Sequence, residues 1–215
     1  MAFEKAKCDQ CPLKKHWQKK GCWSPVDFEQ RESGDGGILI LGEGPTKTDM
    51  SLERPFSDRY GADLLEALKT LGLRRGDVSW GHVIGCRWPG DDPKTYVAKL
   101  RSMNRRRARK SGKPPLLSPV EACRKHVEQH MKKSAAILPL GSLATKAVFG
   151  NNVRLDDVRG APSLVGDTKV IPTYSPQVVR KNPRFRNVFL RDLAKMLRHY
   201  NDDLRWKDPE AIYNP

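Results

Sequence analysis

The sequence has no long apolar run and too few acidic residues to balance its basic ones. No stretch of about 18 apolar residues occurs in the chain, so we expect no membrane span and no membrane partner. The N-terminus, MAFEKAKCDQC, has no apolar core of a secretory signal, so we expect a cytoplasmic protein in which structural disulfides are rare. Lys and Arg number 40 against 25 Asp and Glu, a net charge of +15. This excess predicts a polyanionic partner, with nucleic acid before an anionic membrane surface.

Acidic residues are absent from residues 93–119, and this segment holds +9 of the net charge. Prolines and glycines at 89–90 and 114–115 flank it, which predicts an insert over residues 91–118. Its stretch 95–110 has no helix breaker, and a polyanion would relieve the repulsion within a helix there. We expect the insert to bind nucleic acid; the alternative is a solvated loop. Its basic residues are Lys94, Lys99, Arg101, Arg105, Arg106, Arg107, Arg109, Lys110 and Lys113.

Short apolar runs alternate with amphipathic segments along the rest of the chain. The runs at 37–42, 78–84, 135–140 and 169–172 predict strands, and the segments 63–71, 119–133 and 187–200 predict helices. This alternation is typical of an α/β domain with a mostly parallel sheet, in which ligands bind at the carboxyl ends of the strands. We expect one domain over residues 1–205, with an N-terminal segment 1–36 and a polar tail at 206–215.

Five cysteines occur, at positions 8, 11, 22, 86 and 123. Cys8 and Cys11 form a CxxC among lysines at the extreme N-terminus, which favours a metal over a thioredoxin-like redox pair. Four thiolates suit zinc or an iron–sulfur cluster, and spacing alone does not choose between them. Unligated buried thiols are the alternative.

Motifs at the predicted strand ends resemble, in the same order, those of the uracil-DNA glycosylase superfamily, in particular its iron–sulfur branch (family four). The resemblance runs from Cys8 to about Leu197. GEGP at 42–45 with RPF at 54–56 resembles the GEAPG…PFVG signature, and VIGCRWP at 83–89 resembles the strand end NVVKCRPP. The elements LGSLA at 140–144, RG at 159–160 and PTYSP at 172–176 resemble LGxxA, RG and PTYHPS.

The resemblance implies a three-layer sandwich with a four-stranded, mainly parallel central sheet between helices. It also implies a structural [4Fe–4S] cluster on Cys8, Cys11, Cys86 and Cys123, with Cys22 spare and zinc as the alternative metal. The basic insert lies between the last two of these cysteines, so we expect it beside the cluster and near the DNA.

The same resemblance implies a DNA glycosylase without lyase activity, which flips a base and hydrolyses its glycosidic bond. Phe56 stands at the family's position for stacking on the flipped base. Asp49 and Glu43 stand at its two acidic positions, where a carboxylate can orient water or stabilise positive charge. We expect Gly42 and Gly44 to bring backbone close to the base. Lys47 and Gln177 are expected to contact DNA. The alternatives are a core role for Phe56, a structural role for Glu43 and a solvated Lys47.

Two residues depart from the family pattern at the base-reading positions. His82 replaces an Asn that offers uracil a donor and an acceptor, and Ser175 replaces a larger His. These departures favour a modified, bulkier pyrimidine as substrate, in anti-phage defence, phage metabolism or repair. An ordinary uracil-DNA glycosylase and a non-catalytic nucleic-acid binder are the alternatives. We expect a monomer acting on duplex or single-stranded DNA.

Overall fold

The computed structural model describes residues 6–21, 24–91, 93–111 and 114–200. The expectations for Cys22, Lys113 and the tail 206–215 lie outside these residues, as do those for the side chains of Lys94 and Lys110. Five strands form one sheet in the order β2-β1-β3-β5-β4, all parallel except β4. The strands are β1 (Ile38–Gly42), β2 (Ser79–His82), β3 (Ala136–Pro139), β4 (Ser163–Val165) and β5 (Thr168–Val170).

Helices cover both faces of the sheet, and the predicted helical segments 63–71, 119–133 and 187–200 correspond to three of them to within a few residues. Ser118 caps the fifth helix through a reciprocal hydrogen-bond pair with Glu121. The helices are α1 (Pro12–Gln18), α2 (Lys47–Leu52), α3 (Arg59–Thr70), α4 (Pro93–Ser111), α5 (Pro119–Lys132), α6 (Ser142–Phe149), α7 (Leu155–Val158), α8 (Pro176–Lys181) and α9 (Arg186–Tyr200).

Alternate side chains of β1 enter two separate cores. Ile38 and Ile40 pack with α3 and α9 on one face, whereas Leu39 and Leu41 pack with α1, α5 and α6 on the other. The fold is therefore the expected three-layer sandwich. The cysteines at 11, 86 and 123 belong to the second core.

The sheet has five strands, one more than the four that were expected. β4 forms a hairpin with β5 through Gly166 and Asp167, and it adds an antiparallel edge. The sequence pattern misses this strand because it has only three residues and Leu164 on it is exposed, so no apolar run marks it. Among the described residues, no helix is both long and apolar enough to cross a membrane.

The basic insert is helical over α4, as predicted, and the chain returns along that helix. Asn104 accepts from Leu116 N–H at 2.9 Å and donates to Leu116 C=O at 3.0 Å, and Arg107 donates to Pro114 C=O. Leu100 is buried, and Tyr96 packs 5.7 Å from the ring of Trp88. The first half of α4 is thus fixed to the body beside the cysteine-bearing core.

Candidate active site and thiol cluster

The carboxyl ends of the parallel strands meet at one edge of the sheet. Val83 N–H donates to Gly42 C=O at 2.9 Å, Leu140 N–H to Leu41 C=O at 2.9 Å, and Gly141 N–H to Thr173 C=O at 2.9 Å. These bonds continue the ladder beyond the strands. The expected site residues at positions 42–56, 82 and 175 are therefore anchored to neighbouring strand ends, where α/β folds bind ligands.

Phe56 and His82 form a stacked pair directly over Gly42. Their ring centroids are 4.6 Å apart, with an interplanar angle of 29°. A Cβ atom on Gly42 would lie 2.5 Å from Nδ1 of His82 and 2.6 Å from Cζ of Phe56. Gly42 pairs with His82 across β1 and β2, so only a glycine leaves room for both rings.

The position of Phe56 depends on its backbone and on Arg75. Phe56 has φ of +53°, a left-handed conformation that is uncommon outside glycine. Arg75 donates to the carbonyl oxygens of Pro55 and Phe56, forms an ion pair with Glu29, and lies 4.7 Å above the ring of Trp80. Burial raises the pKa of Glu29, but hydrogen bonds from Arg54 and Arg75 outweigh it and hold this pKa at about 2. The strained turn is thereby fixed from outside the site.

His82 is a neutral imidazole with both nitrogens unpaired. Burial lowers its pKa to about 4, although the nearby Asp49 raises it. Neither Nδ1 nor Nε2 has a hydrogen-bond partner in the part of the chain that the structure describes, and Nε2 lies 3.8 Å from Oδ2 of Asp49. Because a buried polar atom rarely stays unpaired, this ring is suited to a ligand.

Asp49 lies beneath this pair, buried in the first turn of α2. Oδ2 accepts from Thr46 N–H at 2.8 Å, and Oδ1 accepts from Ser57 N–H at 2.6 Å. Thr46 in turn accepts from Asp49 N–H, which completes a capping box. The carboxylate is thus held rigidly between the two loops that carry Gly42 and Phe56.

Glu43 turns away from the stacked pair toward α6. Its Oε1 accepts from Leu143 N–H at 2.7 Å, where the helix cap, Gly141, supplies no side-chain acceptor. Burial raises the pKa of Glu43 above its ordinary value, because its effect outweighs that of the hydrogen bonds from Leu143 and Ser142, which lower it. The contacts of Glu43 therefore connect the loop after β1 to the first turn of α6.

The other expected DNA contacts lie at the surface of this edge. Lys47 is exposed at the first position of α2, and Gln177 is exposed in the first turn of α8. Ser175 caps α8 by accepting from Val178 N–H. Its hydroxyl oxygen is thus already engaged by the backbone.

Trp88, to which the sequence pattern assigned no role, lies beside Gly44. Trp88 is buried, and within the described residues its indole N–H has no acceptor. A Cβ on Gly44 would lie 3.3 Å from this nitrogen. A tryptophan where the family motif has proline was the signal that could have pointed to it. Arg75 was missed as well, because it acts through backbone carbonyls.

Cys8, Cys11, Cys86 and Cys123 line one cavity, together with apolar residues such as Leu13 and Ile84. They form no disulfide with one another. Burial raises the pKa of Cys8 and Cys11, and it raises that of Cys123 to about 12. Four neutral thiols facing one cavity are a poor hydrogen-bonding arrangement, whereas a bound metal would convert them to thiolates.

The spacing of these sulfurs bears on the type of metal. Sulfurs bound to one zinc ion at about 2.3 Å lie about 3.8 Å apart in a tetrahedron. Among the four described cysteines, no three sulfurs lie within 4.8 Å of one another. The donor set therefore fits a metal group, and a single zinc ion would require the four sulfurs to move closer together.

The insert presents part of its charge to solvent. Arg105, Arg106 and Arg109 are exposed on α4, whereas Arg107 is half-buried and donates to Pro114 C=O. Three of the four expected arginines are thus available to a polyanion, and Arg107 also has a structural role.

Comparisons with known proteins give a consistent result. Residues 31–205 match the model of the uracil DNA glycosylase superfamily. The chain is 32% identical over 197 residues to the type-4 uracil-DNA glycosylase of Pyrobaculum aerophilum, a match that covers 87% of this chain and 86% of that protein. It is 32% identical over 165 residues to the enzyme of the same name from Thermotoga maritima, covering 75% and 76%. For that of Archaeoglobus fulgidus, the values are 25% over 199 residues, 88% and 86%.

Proposed function

This chain belongs to the uracil DNA glycosylase superfamily, and from that membership we propose that it is a monofunctional DNA glycosylase. It hydrolyses the bond between a pyrimidine base and deoxyribose and leaves an abasic site. Its relatives carry the name type-4 uracil-DNA glycosylase, which makes uracil the first substrate to test.

The observation that carries this proposal is the unpaired, buried imidazole of His82 stacked on Phe56. A base flipped from DNA needs an aromatic surface and polar atoms that read its edge. A neutral imidazole has one donor and one acceptor that point in different directions, so it can either donate to a carbonyl oxygen of uracil or accept from its N3–H. The low pKa keeps the ring in this form at neutral pH.

The proton position on His82 is not fixed by the described residues, since neither nitrogen has a partner. A uracil edge presents an acceptor beside a donor, and a cytosine edge presents these groups in the reverse order. An imidazole can change tautomer to match either edge. We therefore expect His82 to discriminate between pyrimidines less sharply than an amide held in one orientation.

Loss of the base leaves positive charge on the sugar, and Asp49 is our candidate for stabilising it. Its two oxygens are fixed by Thr46 and Ser57, so the carboxylate needs no rearrangement during the reaction. Oxygen lone pairs that these bonds do not use can orient the attacking water. Glu43, which bonds to α6, is better suited to positioning the β1 loop than to contacting the sugar.

Cys8, Cys11, Cys86 and Cys123 would hold the [4Fe–4S] cluster that the type-4 name implies. When bound, the cluster would act as a cross-link between the N-terminal segment, the end of β2 and α5. The exposed arginines of α4, with Lys47 and Gln177, would then contact the DNA backbone without reading the base. Duplex and single-stranded DNA are both open to this arrangement.

The test is a panel of oligonucleotides, duplex and single-stranded, with uracil, hydroxymethylpyrimidines or glucosylated hydroxymethylcytosine. After incubation, alkali cleaves the strand at every abasic site. We expect cleavage with the wild type and a loss of about 10²-fold or more in Asp49→Asn. Asp156→Asn, an exposed carboxylate on α7, is the matched control and should keep full activity.

A wild-type protein that binds DNA but produces no abasic site on any member of the panel would refute the enzyme and leave a non-catalytic binder. Cleavage of a modified base in preference to uracil would support the second candidate, a glycosylase for bulkier pyrimidines. The observation that favours this candidate is Ser175, a small side chain already engaged as the cap of α8.

A further inference from the structure

An aspartate and two histidines meet away from the strand ends, between the segment that precedes β1 and the middle of α5. Donor atoms of Asp27, His126 and His130 all lie within 4.8 Å of one another. Nε2 of His126 is 2.8 Å from Oδ1 of Asp27. None of the three lines the cysteine cavity.

The backbone places these side chains together without help from a ligand. His126 and His130 are four residues apart, so they project from the same face of α5, with ring centroids 4.9 Å apart. The segment bearing Asp27 is tied to the sheet by Val26 N–H, which donates to Gly85 C=O at 2.7 Å, and by the pairing of Glu29 with Trp80. Two rigid elements thus face each other.

Neighbouring side chains fix the orientation of both rings. Phe28 stacks on His130 with centroids 3.9 Å apart and an angle of 1°, and it meets the edge of His126 at 5.5 Å. The amide of Gln30 lies 2.8 Å from Nδ1 of His130. If the amide oxygen and nitrogen of Gln30 exchange places, the oxygen accepts from Nδ1–H of His130. Nε2 of His130 then has a lone pair free to bind a metal ion. Such outer hydrogen bonds are typical of metal-binding histidines.

The protonation states also suit a cation. Burial lowers the pKa of His130 to about 4, and the neighbouring His126 lowers it further. For Asp27, burial raises the pKa, but hydrogen bonds from His126 and from Phe28 N–H bring it below its ordinary value. A neutral imidazole and an ionised carboxylate are the forms that coordinate metal.

We propose that Asp27, His126 and His130 form a metal site for one divalent transition-metal ion of the zinc class. Two imidazoles and a carboxylate are a donor set that zinc accepts in tetrahedral geometry, while calcium and magnesium prefer oxygen alone. Three protein ligands leave a fourth position for water. The Asp27 side chain is 39% exposed, which gives the ion a route from solvent.

Such an ion would lock α5 to the segment that leads into β1. His126 lies three residues after Cys123, so one helix would contribute to both the thiol cluster and this site. The metal would close a loop of about a hundred residues, and binding only to the folded chain would stabilise it.

The experiment is calorimetric titration of zinc into the purified protein with its cluster in place, after passage over a chelating resin. We expect one zinc ion per chain in the wild type and an affinity at least about 10-fold lower in Asp27→Asn and His130→Asn. Glu128→Gln, which removes an exposed carboxylate from the same helix, should bind as the wild type does. Zinc should raise the melting temperature of the wild type and the control, but not of the two variants.

Visible absorption of the cluster, followed during the titration, must stay constant, which shows that zinc has not replaced iron at the cysteines. Absence of zinc binding below about 1 mM, or equal affinity in Asp27→Asn, would overturn the proposal. If both ligand variants fail to fold, anomalous diffraction at the zinc edge from wild-type crystals decides. A peak between the three side chains supports the site, and its absence refutes it.

Discussion

Replacing Gly42 by alanine tests whether the close stack over β1 matters for excision. The added Cβ would lie 2.5 Å from Nδ1 of His82 and 2.6 Å from Cζ of Phe56, about 0.8 to 0.9 Å short of the 3.4 Å at which ordinary contact begins. Phe56 cannot move away easily, because Arg75 holds its carbonyl oxygen and Trp80 lies against its ring at 5.4 Å. One or both rings must therefore shift by about 1 Å.

A misplacement of about 1 Å in a catalytic site can reduce the rate by about 10²-fold, and overpacking a well-filled core costs about 1 to 3 kcal/mol. We expect both effects for Gly42→Ala. The assay is single-turnover release of uracil from a labelled oligonucleotide, with the melting temperature measured alongside. Gly76→Ala is the matched control, since the three atoms nearest to its Cβ all belong to the exposed Glu32 side chain, which can swing aside.

The double variant Gly42→Ala, His82→Ala separates crowding from other causes. With the imidazole gone, one of the two clashes is removed and the Phe56 ring, whose Cζ is 2.6 Å from the new Cβ, can shift into the vacated space. Alanine at position 42 should therefore cost less stability in this background than in the wild type. If Gly42→Ala releases uracil as fast as Gly76→Ala, the stacked pair does not form part of the reacting site, and our assignment of the base-reading residues is wrong.

Three further predictions concern pH, charge and the thiol cluster. His82 has a pKa of about 4 in the folded chain and 6.5 when exposed, so on acidification the unfolded chain takes up a proton first. Relative to His82→Asn, the free energy of unfolding of the wild type should therefore fall by about 1 kcal/mol between pH 7.5 and 5.5. Denaturant unfolding that shows no such difference would contradict the burial of this ring. Changing Arg105, Arg106 and Arg109 to glutamine should weaken DNA binding and leave the base preference unchanged. The slope of the logarithm of the binding constant against the logarithm of the salt concentration should fall by about 1 for each phosphate that the protein no longer neutralises. A changed preference on the oligonucleotide panel would show that α4 reads the base. Cys123→Ser should lose the brown colour of the iron–sulfur cluster and retain less iron than the wild type, with a lower melting temperature; a fully coloured, equally stable variant would exclude this cysteine as a ligand.

Periodicity and strand-end motifs predict most of the fold because they reflect burial. The run at 37–42 is apolar on both sides since β1 enters two cores, and leucines spaced along α3 fill one of them. The hairpin strand β4 is not predicted because its side chains are half-exposed or exposed. The parallel pairing of β1 with β2 brings Gly42 and His82 together. The order of the motifs along the sequence implied this contact but did not show it.

The contacts between side chains distant in sequence are what the sequence does not specify. Nothing in the residues themselves indicates that His82 stacks on Phe56 with both nitrogens unpaired, or that Glu43 turns to the start of α6. The pattern HxxxH at 126–130 is visible in the sequence, yet its third partner, Asp27, lies 99 residues before His126. Tertiary packing decides these contacts, and it depends on the whole core.

The reciprocal bonds between Asn104 and Leu116 have a consequence for how this chain can vary. They join the middle of α4 to the returning segment before the chain enters α5, so the insert is closed on itself. The part of the insert between Asn104 and Leu116 can therefore lengthen, shorten or be exchanged with little strain on the sheet. The proposed DNA contacts of α4 can thus be changed by engineering without altering the proposed base-reading residues.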